Sequence, residues 1–201
     1  MPLDQKKKIL DIYTLGDLID RAIIYLTANN EITTLGLQKG IFLYLYSYAV
    51  TNGYDFNKVL ESAAFEPYRF GPFSDEVLGQ AETLAGYGTI TGNGTGEKRT
   101  FTGTAQNVEK ISFGKSEVRL LENIKNLVKT LESLELTFYI YFNPLIDEGL
   151  REHFTSKSEI KESLIRHKET FIRSLLRKGI IDENTADLIT YGNSQTQINR
   201  F

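Results

Sequence analysis

The 201-residue sequence contains no cysteine. A chain without cysteine has no disulfide framework, no thiolate nucleophile and no thiolate ligand for a metal. It has only two histidines, His153 and His167, and their spacing fits no zinc-binding motif. We therefore expect no metal site and no cofactor, and these two residues are the only candidates for a histidine general base.

Strong charge of one sign and long apolar runs are also missing. The net charge is −3, whereas a protein that coats nucleic acid through its overall charge is basic, although a local basic patch could still exist. No apolar run approaches the ~20 residues of a membrane-spanning helix. The N-terminus lacks the apolar segment of a signal peptide. These features predict a soluble cytoplasmic protein with no membrane association.

Periodic apolar residues predict helices over most of the chain. The segment 33–53 is apolar on almost every face, which favours a buried central helix, but its alternating tyrosines leave a strand as the competing interpretation. The stretch "ELTFYIYFNPLI" fits either a short helix or a strand. Further helices are predicted at 14–30 with Thr14 as N-cap, at 56–65, from an N-cap at Ser74 to Gly86 or Gly88, and at 115–134, 156–179 and 182–192.

Residues 88–104 differ from the rest, because Thr, Ile and Phe flank a Gly/Asn cluster in "GTITGNGTGEKRTFTGT". This pattern predicts a β-hairpin with a glycine-rich tip. Helices followed by such a hairpin are typical of a winged helix. The expected fold is mainly α with a small β-hairpin, a winged-helix-like helical domain with a C-terminal helical extension. We expect a winged-helix-like half at 1–113 and a helical half at 114–201, packed together as one unit.

The sequence offers no catalytic constellation. Its carboxylates are scattered, and no nucleophile–base pair is apparent. The glycine-rich tip lacks the GxxxxGK[ST] spacing of a phosphate-binding loop. We therefore predict that the protein is not an enzyme and has no catalytic residues.

The stretch "PYRFGPF", residues 67–73, is the most distinctive. Its two prolines fix φ, its glycine permits a tight turn and its aromatics fill space, so it predicts a rigid corner that is neither regular helix nor strand. Packing does not readily explain Arg69, which would stack on the aromatics or pair with a carboxylate such as Asp75 or Glu76. The candidate partner-binding residues are Tyr68, Arg69, Phe70 and Phe73.

Two consecutive stretches, "LGLQKGIFLYLYSYAVTNGYDF" and "FEPYRFGPFSDEVLGQAETLAGYGTI", resemble the SocA-like antitoxin domain, also called Panacea, and its YwgA-like relatives. The resemblance covers residues 33–180 approximately. Gly40 departs from it, because an apolar residue is typical there, and the hairpin tip is unusually long. The matching positions are Leu37, Gln38 and Lys39 in an "LQK" helix start, and Tyr68, Phe70, Gly71, Pro72, Ser74 and Glu76 in an aromatic Gly-Pro corner.

The resemblance implies a helical, winged-helix-like domain that binds protein and has no catalytic residues. SocA-like proteins neutralise a toxin or act as adaptors for its proteolysis. The leading hypothesis is therefore a non-enzymatic antitoxin-like or adaptor-like module whose partner is a toxin or a protease component; a homo-oligomer is also compatible. The alternative is a winged-helix DNA-binding regulator. In that case the hairpin would be the wing, and Lys98, Arg99, Lys110 and Lys115 would meet phosphates.

Overall fold

A computed structural model describes residues 8–155 and 159–195. The chain divides into two compact units. The first contains the described residues of Met1–Glu66 and Pro72–Lys129, and the second contains those of Pro67–Gly71 and Thr130–Phe201. The main division therefore falls near residue 130, later than the expected position near residue 113.

The described residues form helices and short strands in the following order. The first part of the chain contains α1 (Ile12–Thr27), β1 (Ile32–Thr33), α2 (Thr34–Asn52), α3 (Phe56–Ser62), β2 (Glu66–Tyr68), β3 (Gly71–Phe73), α4 (Asp75–Gly86), β4 (Ile90–Asn93), β5 (Thr100–Gly103), α5 (Ala105–Glu109) and α6 (Lys115–Thr130). The rest contains α7 (Ser133–Phe142), α8 (Glu148–Thr155), α9 (Lys161–Arg166), α10 (Lys168–Arg177) and α11 (Glu183–Gln195). No helix of the described chain combines the length and the apolarity needed to cross a membrane.

Helix α1 begins earlier than its sequence pattern predicts. The side chain of Asp11 accepts a hydrogen bond from the backbone N–H of Thr14 at 2.9 Å and another from its hydroxyl at 2.6 Å. The expected N-cap at Thr14 is therefore wrong, because Asp11 satisfies the free N–H of the first turn instead. The buried stripe of α1 follows the predicted register, with Leu15, Leu18, Ile19, Ala22, Ile23 and Leu26.

Helix α2 is confirmed as the buried central helix, and the strand interpretation of its tyrosines is wrong. Thr33 caps it through Gly36, and Gly53 ends it at φ +72°. Gly40 of α2 lies against side chains of α1 and α6. A Cβ atom at this position would lie 3.0 Å from Leu26 Cδ1 and 3.3 Å from Val128 Cγ2. The absence of a side chain at position 40 is therefore required by the packing of this chain.

The first unit contains a three-stranded antiparallel sheet in the order β1–β5–β4. Ile32 of β1 pairs with Phe101 of β5, and both side chains are buried. The predicted hairpin is β4 and β5, with Thr91 opposite Thr102. The mainly α fold with a small hairpin is thereby confirmed, and the order of helices and strands is winged-helix-like. Strand β1 was missed because two residues are too few to show a period of two.

The "PYRFGPF" stretch does contain strands, contrary to the expectation of an irregular corner. Strands β2 and β3 form a separate two-stranded sheet around a two-residue turn. A two-stranded sheet gives each strand one free edge, which is where a proline without an N–H is tolerated. Pro67 and Pro72 are therefore compatible with this hairpin. Gly71 has φ +120°, which only glycine adopts without strain.

In the second unit, the stretch "ELTFYIYF" is helical and forms most of α7. The helix interpretation is therefore right and the strand interpretation is wrong. The ring of Phe138 stacks on Phe142 at 4.6 Å and on Phe171 of α10 at 5.0 Å. The described part of the predicted helix at 156–179 is two helices, with the break at His167. Residues 156–158 of that prediction lie outside the described residues.

Candidate partner-binding surface

The glutamine of the "LQK" stretch is tied to the corner through a pair of hydrogen bonds. Gln38 Nε2 donates to the carbonyl of Ser74, and Gln38 Oε1 accepts from the N–H of Ser74, each at 2.9 Å. The hydroxyl of Ser74 donates to the carbonyl of Ala63 at 2.6 Å and accepts from the N–H of Val77 at 3.1 Å. Ser74 is thus confirmed as the N-cap of α4. Both side chains are buried, so these matching residues hold the fold together.

The candidate binding residues of the corner are half-buried. The guanidinium carbon of Arg69 lies 4.6 Å from the ring centroid of Phe70 and 5.8 Å from that of Tyr68. The expected stacking of Arg69 on its aromatic neighbours is confirmed. The carbonyl of Phe70 accepts a hydrogen bond from the hydroxyl of Thr137 at 3.0 Å. The structure thus brings Tyr68, Arg69 and Phe70 together in the second unit, while Phe73 belongs to the first.

Arg99 is a candidate for phosphate contact, and we expected it to project from the hairpin tip. It does not. Its guanidinium forms an ion pair with Glu82 of α4 and donates to the carbonyl of Gly94 at 2.9 Å. The guanidinium also lies 5.4 Å from the ring centroid of Phe101. Attraction to the carboxylate and the aromatic ring turns this side chain back onto its own unit.

The other basic candidates lie on separate elements. Lys98 is exposed in a 3₁₀ turn between β4 and β5. Lys110 is exposed just after α5, with its Nζ 3.4 Å from Asn107 Oδ1, and Lys115 is exposed at the first position of α6. Helix α4, which precedes the wing, has no Lys or Arg and carries the acidic residues Asp75, Glu76 and Glu82.

Three large apolar side chains are exposed close together along the chain, at and just before the start of α1. Ile9 is 73% exposed, Ile12 62% and Tyr13 88%. We call these residues the N-terminal apolar patch. The sequence held a signal for Tyr13, because a residue at this position shares its helical face with Asp17 and not with the buried stripe. A helix that begins at Thr14 excludes Tyr13, so the exposure of this residue was not predicted.

An open groove of about 340 Å³ lies beside this patch, between α1, α3 and α4 of the first unit. We call it the α1/α3/α4 groove. Its apolar side is formed by α1, and its polar side includes α4. The residues that line it are Ile12, Tyr13, Leu15, Gly16, Asp17, Ile19, Ser62, Glu76 and Gln80.

The polar side of the groove is rich in hydrogen-bond acceptors. Asp17 is exposed, and its Oδ2 lies 3.4 Å from Arg21 Nη1, a long contact. The carboxylate of Glu76 accepts from Gln80 Nε2 at 3.3 Å. Gln80 Oε1 is buried, and no group of the described residues donates to it. Among the described residues, the side chains that line the groove include two carboxylates and no Lys, Arg or His, and Arg21 lies beside one of these carboxylates.

A partly buried polar cluster joins α1, α2 and α6. The hydroxyl of Tyr44 donates to Glu117 Oε1 at 2.9 Å, and Arg21 Nη2 lies 2.7 Å from Glu117 Oε2. Burial is the main cause of the raised pKa of Tyr44, and the negative charge of Glu117 adds to it. The Tyr44 hydroxyl and Arg21 Nη2 thus both contact the carboxylate of Glu117, whereas Arg21 Nε is buried without a partner among the described residues. Because the members of this cluster are far apart in sequence, no local pattern predicted it.

Neither histidine lies in a catalytic arrangement that the described residues reveal. Both are exposed. His167 Nδ1 lies 2.9 Å from the carbonyl of Ser163, at the break between α9 and α10. In the part of the chain that the structure describes, no three His, Asp or Glu side chains are grouped closely enough to hold a metal ion.

The sequence matches no protein-family model, and no significantly similar curated protein or solved structure was found.

Proposed function

We propose that this chain is a non-enzymatic module that acts by binding another protein in the cytoplasm. The observation that carries this proposal is the N-terminal apolar patch beside the α1/α3/α4 groove. Large apolar side chains that are exposed together and lie next to a concave surface are characteristic of protein-binding sites. The resemblance to SocA-like proteins supports an antitoxin-like or adaptor-like role, with a toxin or a protease component as the partner.

The alternative, a DNA-binding regulator, has less support from the distribution of charge. In a winged helix that reads DNA, the helix before the wing normally lies against the negatively charged duplex. In this chain that helix, α4, bears three carboxylates and no basic residue. Arg99 on the wing is already paired with Glu82. The electrostatic footprint expected of a DNA-binding face is therefore weak.

The test is partner capture from an extract of the source cells, with two tyrosine variants compared. Tyr13→Ser removes the most exposed ring of the patch, and Tyr87→Ser is the matched control, because Tyr87 is 82% exposed in the same unit but outside the patch. We expect wild type and Tyr87→Ser to capture the same protein and Tyr13→Ser to lose it. A central aromatic contact is worth about 2 kcal/mol or more, so the Kd measured with the purified partner should rise ~30-fold.

Equal capture by all three proteins would contradict the proposal, provided that their melting temperatures agree. Loss of the partner in both variants would contradict the assignment to this patch.

A further inference from the structure

We propose that the α1/α3/α4 groove binds an amphipathic peptide segment of the partner, one that places a Lys or Arg side chain beside apolar residues. This inference rests on the proposed function and specifies the chemistry of the bound segment.

Charge complementarity is the first argument. The groove has carboxylates on two of its walls, Asp17 from α1 and Glu76 from α4, and none of its described lining residues is basic. The one cation beside them, Arg21, makes only a long contact of 3.4 Å with Asp17 among the described residues. Glu76 lies in the first turn of α4, where the helix dipole holds a carboxylate in place without a ligand. A cationic side chain is the group that these two carboxylates would attract.

An acceptor without a donor is the second argument. Gln80 lines the groove, and its Oε1 receives no hydrogen bond from the described residues. This atom has almost no accessible surface, so the Gln80 side chain must turn toward the groove before a donor of the ligand can reach it and remove the cost of the missing hydrogen bond. The ammonium of Lys and the guanidinium of Arg each supply several N–H donors and accept none.

The shape of the groove is the third argument. A volume of about 340 Å³ is enough for a few side chains, and the exposed Ile12 and Tyr13 give it an apolar wall, behind which Leu15 and Ile19 are buried. Gly16 leaves one position of this wall without a side chain, and the nearest atom to a Cβ placed there would be Gln80 Nε2 at 4.0 Å. An apolar residue of the ligand can therefore approach the backbone of α1.

The N-terminal apolar patch indicates that the α1/α3/α4 groove binds a peptide and not a small amine. Ile12 and Tyr13 contribute to both the groove and the patch, so the two surfaces are continuous. A small amine would fill the groove and leave Ile9 and most of the Tyr13 ring in water. A segment of several residues covers both, and the apolar area that it removes from water contributes roughly 25 cal/mol per Å².

The test is a selection from a library of random 12-residue peptides displayed on phage, with the full chain as the target. We expect enrichment of Lys or Arg next to apolar residues. The best peptide is then synthesised with a fluorescent label, and its Kd is measured by anisotropy. A second peptide with every Lys and Arg replaced by Glu should bind at least tenfold more weakly.

Two glycine variants then locate the peptide. Gly79→Leu is the control, because Gly79 lies on α4 outside the groove lining and a Cβ there would meet nothing within 4 Å, and we expect the Kd to stay within about twofold. Gly16→Leu fills the groove, and we expect the Kd to rise at least tenfold. A Leu in a helix is favoured over Gly by helix propensity, so the fold is expected to tolerate it. If Gly16→Leu nevertheless fails to fold, the double charge reversal Asp17→Lys with Glu76→Lys replaces it, because both positions are exposed.

Selected peptides with no basic enrichment, or peptides that bind Gly79→Leu and Gly16→Leu equally, would overturn the inference; so would a selection that yields no peptide. These failures are distinct from failure of the proposed function. If partner capture depends on Tyr13 but is unchanged in Gly16→Leu, the protein-binding function stands and the groove is not where the peptide binds.

Discussion

Replacing Gly40 by alanine should destabilise the protein, although alanine is the better helix former. The substitution gains about 1 kcal/mol of helix propensity. The new Cβ, however, would lie 3.0 Å from Leu26 Cδ1 and 3.3 Å from Val128 Cγ2, closer than carbon atoms normally approach. Leu26 is fully buried and cannot turn away into solvent. Overpacking of a core typically costs 1–3 kcal/mol, so we expect a net loss of about 1 kcal/mol.

Gly79 of α4 provides the matched control. A Cβ at this position would meet nothing within 4 Å, so Gly79→Ala keeps the gain in propensity without the clash. We expect it to stabilise the protein by about 0.5–1 kcal/mol. Urea unfolding followed by circular dichroism should therefore separate the two variants by about 2 kcal/mol in unfolding free energy.

The close approach of the three helices would be refuted if Gly40→Ala were as stable as Gly79→Ala. Gly40→Leu extends the test, because a side chain of that size cannot be accommodated between α1 and α6. We expect this variant to lose the cooperative unfolding transition.

Three further predictions concern backbone strain, ionisation and the wing. Gly71→Val should lower the melting temperature more than Gly94→Val, because φ +120° at Gly71 is further from the range of a branched residue than φ +75° at Gly94; a larger loss at Gly94 would contradict this. Burial favours a higher pKa for Glu135, but hydrogen bonds from Lys178, from Ser174 at 2.6 Å and from the backbone N–H of Glu132 lower it overall. Above the usual pKa of 4.5 the carboxylate therefore stabilises the fold fully. As the pH falls below that value, the difference in unfolding free energy between wild type and Glu135→Gln should shrink. A difference that does not change with pH in urea titrations would refute the reasoning. Gel-shift titrations with random duplex DNA at two salt concentrations should show only weak binding, and sub-micromolar binding that disappears when Lys98 and Arg99 are both replaced by alanine would favour the regulator instead.

The sequence predicted those parts of the fold that depend on neighbouring residues. The buried helix α2 was predicted from its length and uninterrupted apolarity, and the cap at Ser74 was predicted because a cap is a contact over three residues. The error at the start of α1 is of the same local kind, since Asp11 and Thr14 are both good capping residues and only geometry decides between them.

The parts that the sequence did not predict depend on distant contacts. Gln38 and Ser74 are 36 positions apart, and Arg99 meets a carboxylate 17 positions before it. Neither separation produces a periodic pattern. The groove combines residues of three helices, so no single stretch of sequence encodes it. The N-terminal apolar patch does not depend on distant contacts. Tyr13 lies off the buried stripe of α1, so its exposure could have been predicted from helical geometry alone.

The hydrogen-bond pair between Gln38 and Ser74 restricts position 38 to one residue type. The side chain must donate to a carbonyl and accept from an N–H at once, with atoms 2.9 Å away in both cases. A glutamate would set a negative charge against the Ser74 carbonyl, a lysine would have no acceptor, and an asparagine is one methylene short. Distant relatives that keep this fold should therefore retain glutamine here even where the surrounding residues have diverged, which makes the position a marker by which such relatives can be recognised.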